Sequence, residues 1–394
     1  MKLIIILIAL IGFQLKAQDD SSHQVVIESY IDLSSSAIRS DFIKAFYQGE
    51  FITNELKNNT RANLSDKNRF GVDISLKSTW FGKDSIYHDW KPSIGLSHRQ
   101  FVASSFSDDL FNTVFYGNGM FANNTASFDG LKMNYLAYQS IDFGLYRLTE
   151  NQKIGFSLGI LKGSQFIDLD SPQSSLFTST NASQLDFILS GSMKTSDTSK
   201  TNLSAWNGTG LKGDFFYEKT LKNGDQIGGS INDLGFISFN KQSLDYTLDS
   251  SYSFTGIEIN NLLSPSDSML NLTTDVDSLI PNAETGSQMR LTPAKLTLYY
   301  VKKVSKSEIQ ISFDQVLNAV YFPHLQLNYV YKVNELIKPS FHIGYGGFTN
   351  EHFGLGINFS QSKFDINLQA RAIQGLIGPS GLSHTFFGQL KWNI

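Results

Sequence analysis

Polar and apolar residues alternate along much of this chain. Lys153-Ile154-Gly155-Phe156-Ser157-Leu158-Gly159-Ile160 sets the pattern, and Glu308 to Asp314, His324 to Tyr329 and Lys363 to Arg371 repeat it. The last stretch carries Phe386, Leu390, Trp392 and Ile394 on one face, with Gln389, Lys391 and Asn393 on the other. A period of two puts every second side chain on one side of an extended strand. Such a strand separates two environments. They are core and water in a soluble antiparallel sheet, or hydrocarbon and a hydrated lumen in a membrane barrel.

The spacing of the connections separates these readings. Fourteen strands are predicted, near 24–32, 68–82, 88–104, 131–147, 152–163, 208–221, 224–238, 291–303, 306–316, 323–332, 337–348, 351–360, 363–374 and 382–394. Tight connections fall at 83–87, 149–151, 222–223, 304–305, 333–336 and 361–362, which are alternate connections and so lie at one end. The opposite end collects the long segments 105–130, 164–207 and 239–290, together with 33–67; the short connection at 349–350 is the exception. Short periplasmic turns and long outer loops are the asymmetry of bacterial outer-membrane barrels, whose strands run about 10 residues. In hydrocarbon every backbone N–H and C=O needs a partner, so the sheet must close. Pro92, Pro293, Pro323 and Pro339 fall near strand starts, where a missing N–H costs least. The expected fold class is all-β: a transmembrane antiparallel β-barrel of about 14 strands with a short helical plug or loop segment.

That segment is 40–64, where Phe42, Phe46, Ile52 and Leu56 include spacings of four. A helix in or over the barrel mouth is the preferred reading, and a helix on the surface of an outer loop is the alternative. Residues 264–282 are weakly helical and otherwise polar, the composition of an exposed loop.

The start of the chain bears on its destination. Met1-Lys2, the apolar run Leu3 to Phe13 and Leu15-Lys16-Ala17 have the layout of a cleavable secretory signal, 1–17, followed by a mature barrel, 18–394. The apolar run is shorter than the roughly 18 residues of a membrane anchor. With no cysteine, the chain has no lipid attachment thiol, disulfide, thiol nucleophile or cysteine-bound metal. A net charge of −4 gives no footprint for nucleic acid. Aromatics at 13% against only 17% charged residues fit strands with one face in lipid.

Asn68-Arg69-Phe70-Gly71, Phe115-Tyr116-Gly117-Asn118, Ile231-Asn232-Asp233-Leu234-Gly235-Phe236-Ile237, Phe254-Thr255-Gly256-Ile257 and Leu291-Thr292-Pro293-Ala294-Lys295 occur in that order. With them, the chain from about Phe42 onward resembles a Bacteroidota outer-membrane barrel family known only as a domain of unknown function. That family is in turn similar to the FadL-like long-chain fatty acid transporter barrels. The resemblance implies an outer-membrane location and roughly fourteen strands, and it carries no catalytic residues. The chain departs from the usual barrel ending, since its final residue is Ile394 and not phenylalanine.

Enzymatic motifs are missing. Ser97-His98 and Ser383-His384 lack the continuation of outer-membrane phospholipases, and neighbours on a strand point to opposite faces. Asp108-Asp109 and Asp168-Leu169-Asp170 lack the register of a calcium loop. Gly378-Pro379-Ser380-Gly381 is not a nucleophile elbow. His23, His88, His324, His342 and His352 show no metal spacing, and no cofactor is expected. Asp84-Ser85-Ile86, Asp267-Ser268-Met269 and Asp277-Ser278-Leu279 match a short glycosylation pattern of exported Bacteroidota proteins. If the apolar partners face lipid, Gln310, Asp314, Gln326, Asn328, Asp365, Asn367, Gln369 and Arg371 face the lumen. The expected role is non-enzymatic: a conduit for a hydrophobic or small solute in the outer membrane of a Gram-negative bacterium. The alternative is a structural or partner-binding barrel serving secretion or cell-surface assembly. Expected partners are outer-membrane lipid, the outer-membrane insertion machinery, and a hydrophobic ligand or surface protein.

Overall fold

The computed structural model describes residues 23–181, 183–254, 283–378 and 381–394. The signal segment 1–17, the loop 264–282 and the glycosylation patterns at 267–269 and 277–279 lie outside the described residues. So does the centre of the 378–381 run.

In chain order the strands begin with β1 (Gln24–Ser35), β2 (Asn68–Phe81), β3 (Lys91–Phe106), β4 (Asn124–Ser127), β5 (Leu131–Leu148) and β6 (Gln152–Thr178). They continue with β7 (Leu185–Thr195), β8 (Gly208–Thr220), β9 (Gln226–Phe239), β10 (Leu244–Phe254), β11 (Glu284–Thr285), β12 (Gln288–Leu291) and β13 (Lys295–Val304). The last six are β14 (Ser307–Val316), β15 (Phe322–Tyr331), β16 (Ile337–Gly347), β17 (Glu351–Gln361), β18 (Phe364–Ala372) and β19 (Ser383–Asn393).

Fourteen of these make a closed antiparallel wall, in the order β1-β2-β3-β5-β6-β8-β9-β13-β14-β15-β16-β17-β18-β19 and back to β1. The closing pair runs in unbroken register from Gln24↔Asn393 to Ser34↔Ser383. His23 and Ile394 extend it, exchanging backbone hydrogen bonds of 3.3 and 2.8 Å. The expected barrel is therefore present, with the expected fourteen wall strands.

The faces of the wall follow the alternation. Large apolar side chains stand exposed on the outside of every wall strand: Ile27, Leu76, Leu96, Phe143, Leu158, Leu211, Phe236, Leu298, Ile311, Leu325, Ile343, Leu355, Leu368 and Phe386. Their polar neighbours in sequence point inward. Asp73, Arg99, Asp142, Lys212 and Asp314 are all buried. Water outside this surface would meet an apolar ring on every wall strand, whereas hydrocarbon would match it.

Two of the long connections are not plain loops. β6 runs 27 residues, well past its expected end. Its register with β5 shifts between Ala137↔Gln165 and Tyr138↔Gly163, leaving Ser164 as a bulge. One extra residue reverses the alternation, so Leu161 and Phe166 both point inward at 0% and 1% exposure. Beyond the wall, the tip of β6 pairs with β4 and β7, and β7 pairs with β10. The segments 164–207 and 239–290 thus carry strands that extend the sheet outward. Period-two patterning is weak there because neither face meets a uniform medium.

The first long connection holds the helices α1 (Ser40–Gln48) and α2 (Asn54–Arg61). Gly49 ends α1 in the left-handed region at φ 69°, donating its N–H back to the last turn, and Thr53 Oγ1 caps α2 by accepting from Leu56 N at 3.3 Å. The helix α3 (Asp108–Tyr116) starts at Ser107, which caps Leu110 N at 3.1 Å. The short α4 (Gln374–Ile377) precedes β19.

Candidate functional site

The lumen is closed by two layers of side chains, one charged and one apolar. Arg99 on β3 is the centre of the charged layer. Its Nε and Nη2 donate to the two oxygens of Asp73 on β2 at 3.0 and 2.9 Å. Its Nη1 donates to Asp233 Oδ2 at 2.9 Å and to the Pro293 carbonyl at 2.8 Å. Asp233 belongs to β9, with β5, β6 and β8 between it and Arg99 around the wall, so this contact is a chord across the lumen.

Lys212 on β8 extends the layer, donating to Asp233 Oδ1 at 2.7 Å and standing 3.4 Å from both Asp142 and Asp214. Lys77 on β2 reaches Asp214 at 3.0 Å, a second chord. Desolvated charges of this kind are costly unless every partner is in place. Here three cations meet four carboxylates, and Ser140 donates to Asp142 at 3.1 Å.

The apolar layer comes from connections that fold inward. Phe348, between β16 and β17, lies with its ring centroid 5.9 Å from that of Phe101 on β3 and 5.1 Å from that of Tyr321. Gly71 on β2 makes the seat, since a Cβ there would collide with the Phe348 ring. Val316 and Ala103 complete the cluster, and Phe348 is only 2% exposed.

A cavity of about 350 Å³ lies toward the long-loop end. Phe101, Leu136, Phe166, Met289, Leu291 and Pro293 supply its apolar wall, while Arg290, Asp168 and Asn134 supply the polar one. Arg290 is placed by an ion pair of 3.1 Å with Asp168 and lies 4.7 Å over the Phe166 ring. β12 borders this cavity and pairs with the upper part of β9, while β13 takes the lower part. Among the described residues no strand pairs with the other edge of β12. A second cavity of about 350 Å³ lies below the charged layer and is polar, with Glu28, Lys77, Ser97, Thr297 and Gln310 among its lining.

Six of the eight polar positions singled out from alternation fall in two groups. Gln310, Asp314, Gln326 and Arg371 line the polar cavity. Asp365 and Asn367 line a recess at the short-turn end with Lys338 and Lys391. Gln369 links the groups, accepting from Arg371 Nε at 2.7 Å and donating to Asn367 at 3.1 Å. Asn328 sits opposite Gln310 and His342 in the register.

Of the four residues singled out in 40–64, Phe42 is buried against Phe111 and Phe115 of α3, with centroids 5.5 and 4.9 Å away. Phe46 is 66% exposed, and Ile52 and Leu56 are half-buried. Tyr47 and Phe51 stand out at 90% and 84% exposure. Ser97 bonds Ser140 at 2.6 Å, and His98 shares the outward parity of Ile94 and Leu96, so the pair does not converge. Asp84, Ser85 and Ile86 lie exposed in the β2–β3 turn.

The charged layer was not visible in the sequence. Asp73, Arg99, Asp142, Lys212, Asp214 and Asp233 are isolated charges at polar-face positions, with charged partners up to 137 residues away. The one available signal was a polar face carrying charges of both signs at mid-strand, where a hydrated wall needs none.

The chain belongs to the family of unknown function DUF5723, which matches residues 25–369. No curated protein matches it. Solved structures similar to it include a deltaS2S3 mutant of the monoaromatic hydrocarbon channel TodX, at 8% identity and a TM-score of 0.46, covering 95% of this chain and 91% of that one. A Pseudomonas aeruginosa FadL homologue follows at 11% identity, a TM-score of 0.43 and coverage of 95% and 90%. The Ralstonia pickettii toluene transporter TbuX stands at 8% identity, a TM-score of 0.43 and coverage of 95% and 89%. At TM-scores under 0.5, none of these likenesses decides what this chain binds.

Proposed function

We propose that this chain is an outer-membrane barrel of a Gram-negative bacterium that takes a small hydrophobic solute into the cavity at its long-loop end. The exposed apolar ring on all fourteen wall strands supports a lipid environment. Export by a cleaved signal at 1–17 and handling by the insertion machinery belong to the same reading. The observation that carries the solute is the cavity of about 350 Å³ between Phe101, Leu136, Phe166, Met289 and Leu291. It has the size of a small-molecule site, with apolar side chains beside a polar wall. It also sits above a lumen that Phe348 and Arg99 keep shut, so passage requires the inward connections to move.

The test is uptake of the apolar fluorophore N-phenyl-1-naphthylamine by liposomes carrying the mature protein. Wild type is expected to accelerate entry, and Leu136→Trp, which narrows the cavity, to lose at least half of that gain. Entry no faster than in empty liposomes would refute the solute reading. A second reading, a partner-binding barrel, is favoured by Phe46, Tyr47 and Phe51, which leave an aromatic cap exposed on the outer helices.

A further inference from the structure

Two imidazoles meet inside the wall next to the apolar closing layer, whose Tyr321 and Phe348 border the same small space. His324 Nε2 and His352 Nε2 are 3.2 Å apart, with ring centroids 5.0 Å apart and planes inclined by 31°. One comes from β15 and the other from β17, and each strand pairs with β16 between them. β16 presents Gly344 at that point. A Cβ on Gly344 would stand 2.5 Å from His352 Nε2 and 2.9 Å from His324 Nε2. The missing side chain is what lets the rings meet.

The neighbours give this contact a direction. His324 Nδ1 lies 3.3 Å from Asp314 Oδ2 on β14. Asp314 is itself held by Thr297 Oγ1 at 2.6 Å and by Lys295 Nζ at 3.8 Å. A carboxylate at Nδ1 keeps the proton there and leaves the Nε2 lone pair free, the arrangement found behind metal-binding histidines. The rings border a space of about 30 Å³, also lined by Tyr30, Asp32 and Arg371. That is room for a single water or ion.

The distances suit a shared ion. Two metal–nitrogen bonds of about 2.0–2.1 Å at a tetrahedral angle set the nitrogens roughly 3.3 Å apart. A straight N–H···N bond of the observed length would put the centroids roughly 5.5 Å apart. At 5.0 Å between centroids, the rings are not aligned along the N···N line.

We infer that His324 and His352 form a two-imidazole site for a borderline divalent cation such as Zn²⁺, Ni²⁺ or Cu²⁺, oriented by Asp314. Among the described residues no group of three or more His, Asp or Glu side chains forms a cage. The site is therefore a clamp, with water completing the coordination. Imidazole suits these ions over Mg²⁺ or Ca²⁺. The carboxylates of Asp32 and Asp314 favour a cation there, and the charges of Lys295 and Arg371 limit its affinity. A bound ion ties β15 to β17, the strands that follow the inward connections carrying Tyr321 and Phe348.

Titration of the full mature chain in detergent with Cu²⁺, read by pulsed electron paramagnetic resonance, tests this. One equivalent with two coupled imidazoles is expected. His324→Gln or His352→Gln should leave one imidazole and lower the affinity at least tenfold. Asp314→Asn should lower it roughly 10- to 100-fold. Heat-dependent gel mobility confirms the closed barrel in each variant. Gly344→Ala should weaken binding as well, and the glutamine variants decide if it does not fold. Binding no tighter than millimolar would overturn the inference. So would a Cu²⁺ signal unchanged in the double glutamine variant, which would place the ion elsewhere, for instance at His23.

Discussion

Replacing Leu158 by arginine separates a lipid-facing wall from a wetted one. Leu158 is 69% exposed on the outside of β6, between Phe156 and Ile160, which are 45% and 54% exposed. It lies six residues along β6 from Gln152 at the short-turn end. At about 3.3 Å per residue and a tilt of about 40°, that is roughly 15 Å along the barrel axis. An outward apolar band is about 25 Å tall, so Leu158 sits near its middle. An arginine there costs about 2–4 kcal/mol in a bilayer, and the cost falls to about 0–1 kcal/mol near the interface. Val304, 47% exposed at the end of β13 beside the turn and on the same face as Leu298, is the matching shallow position. In water either change would stay within about 0.5 kcal/mol, because exposed surface substitutions rarely do more. Denaturant unfolding from phospholipid vesicles, followed by tryptophan fluorescence, measures both variants. The expected result is a loss of about 2–4 kcal/mol for Leu158→Arg and under about 1 kcal/mol for Val304→Arg. Equal losses, or two losses below about 0.5 kcal/mol, would refute the lipid-facing assignment.

Arg99→Met strands Asp73 in the lumen without its two-point partner and should cost about 3–5 kcal/mol in the same titration, whereas Arg99→Met with Asp73→Leu should recover much of it. Phe348→Ala removes the ring seated on Gly71, should cost about 3–5 kcal/mol, and should raise permeability to small sugars in liposome swelling. Unchanged swelling would locate the closure elsewhere. Excising 41–62 is expected to leave swelling at the wild-type level, because Phe46, Tyr47 and Phe51 stand in solvent and the closing layers lie elsewhere. A large conductance in that variant would identify the segment as the plug.

The wall strands could be located from sequence because each lies between two different media and must alternate. Around Ser164 that logic fails: one bulged residue reverses the faces, and β6 carries on to Thr178 without a readable period. The extensions β4, β7 and β10 were missed for a related reason, since strands outside both lipid and lumen have no fixed pair of environments. Gln310, Asp314, Gln326 and Arg371 could be placed on the inner face by parity alone. What they and their neighbours do there depends on which strands face one another across the lumen. Arg99 and Asp233, or His324 and His352, meet only because of wall order and a glycine gap, and no local pattern encodes either.

The hydrogen-bonded meeting of His23 with Ile394 brings the two ends of the described barrel side by side. A covalent join there, with a new opening cut in one of the long outer connections, should give a circular permutant that reaches the same structure. For the natural chain, β1 lacks one lateral partner until β19, the last wall strand in chain order among the described residues, has been made. The first and last strands must therefore be kept from pairing with other chains in the interval. Closure is a single late event that converts two adhesive edges into a continuous seam.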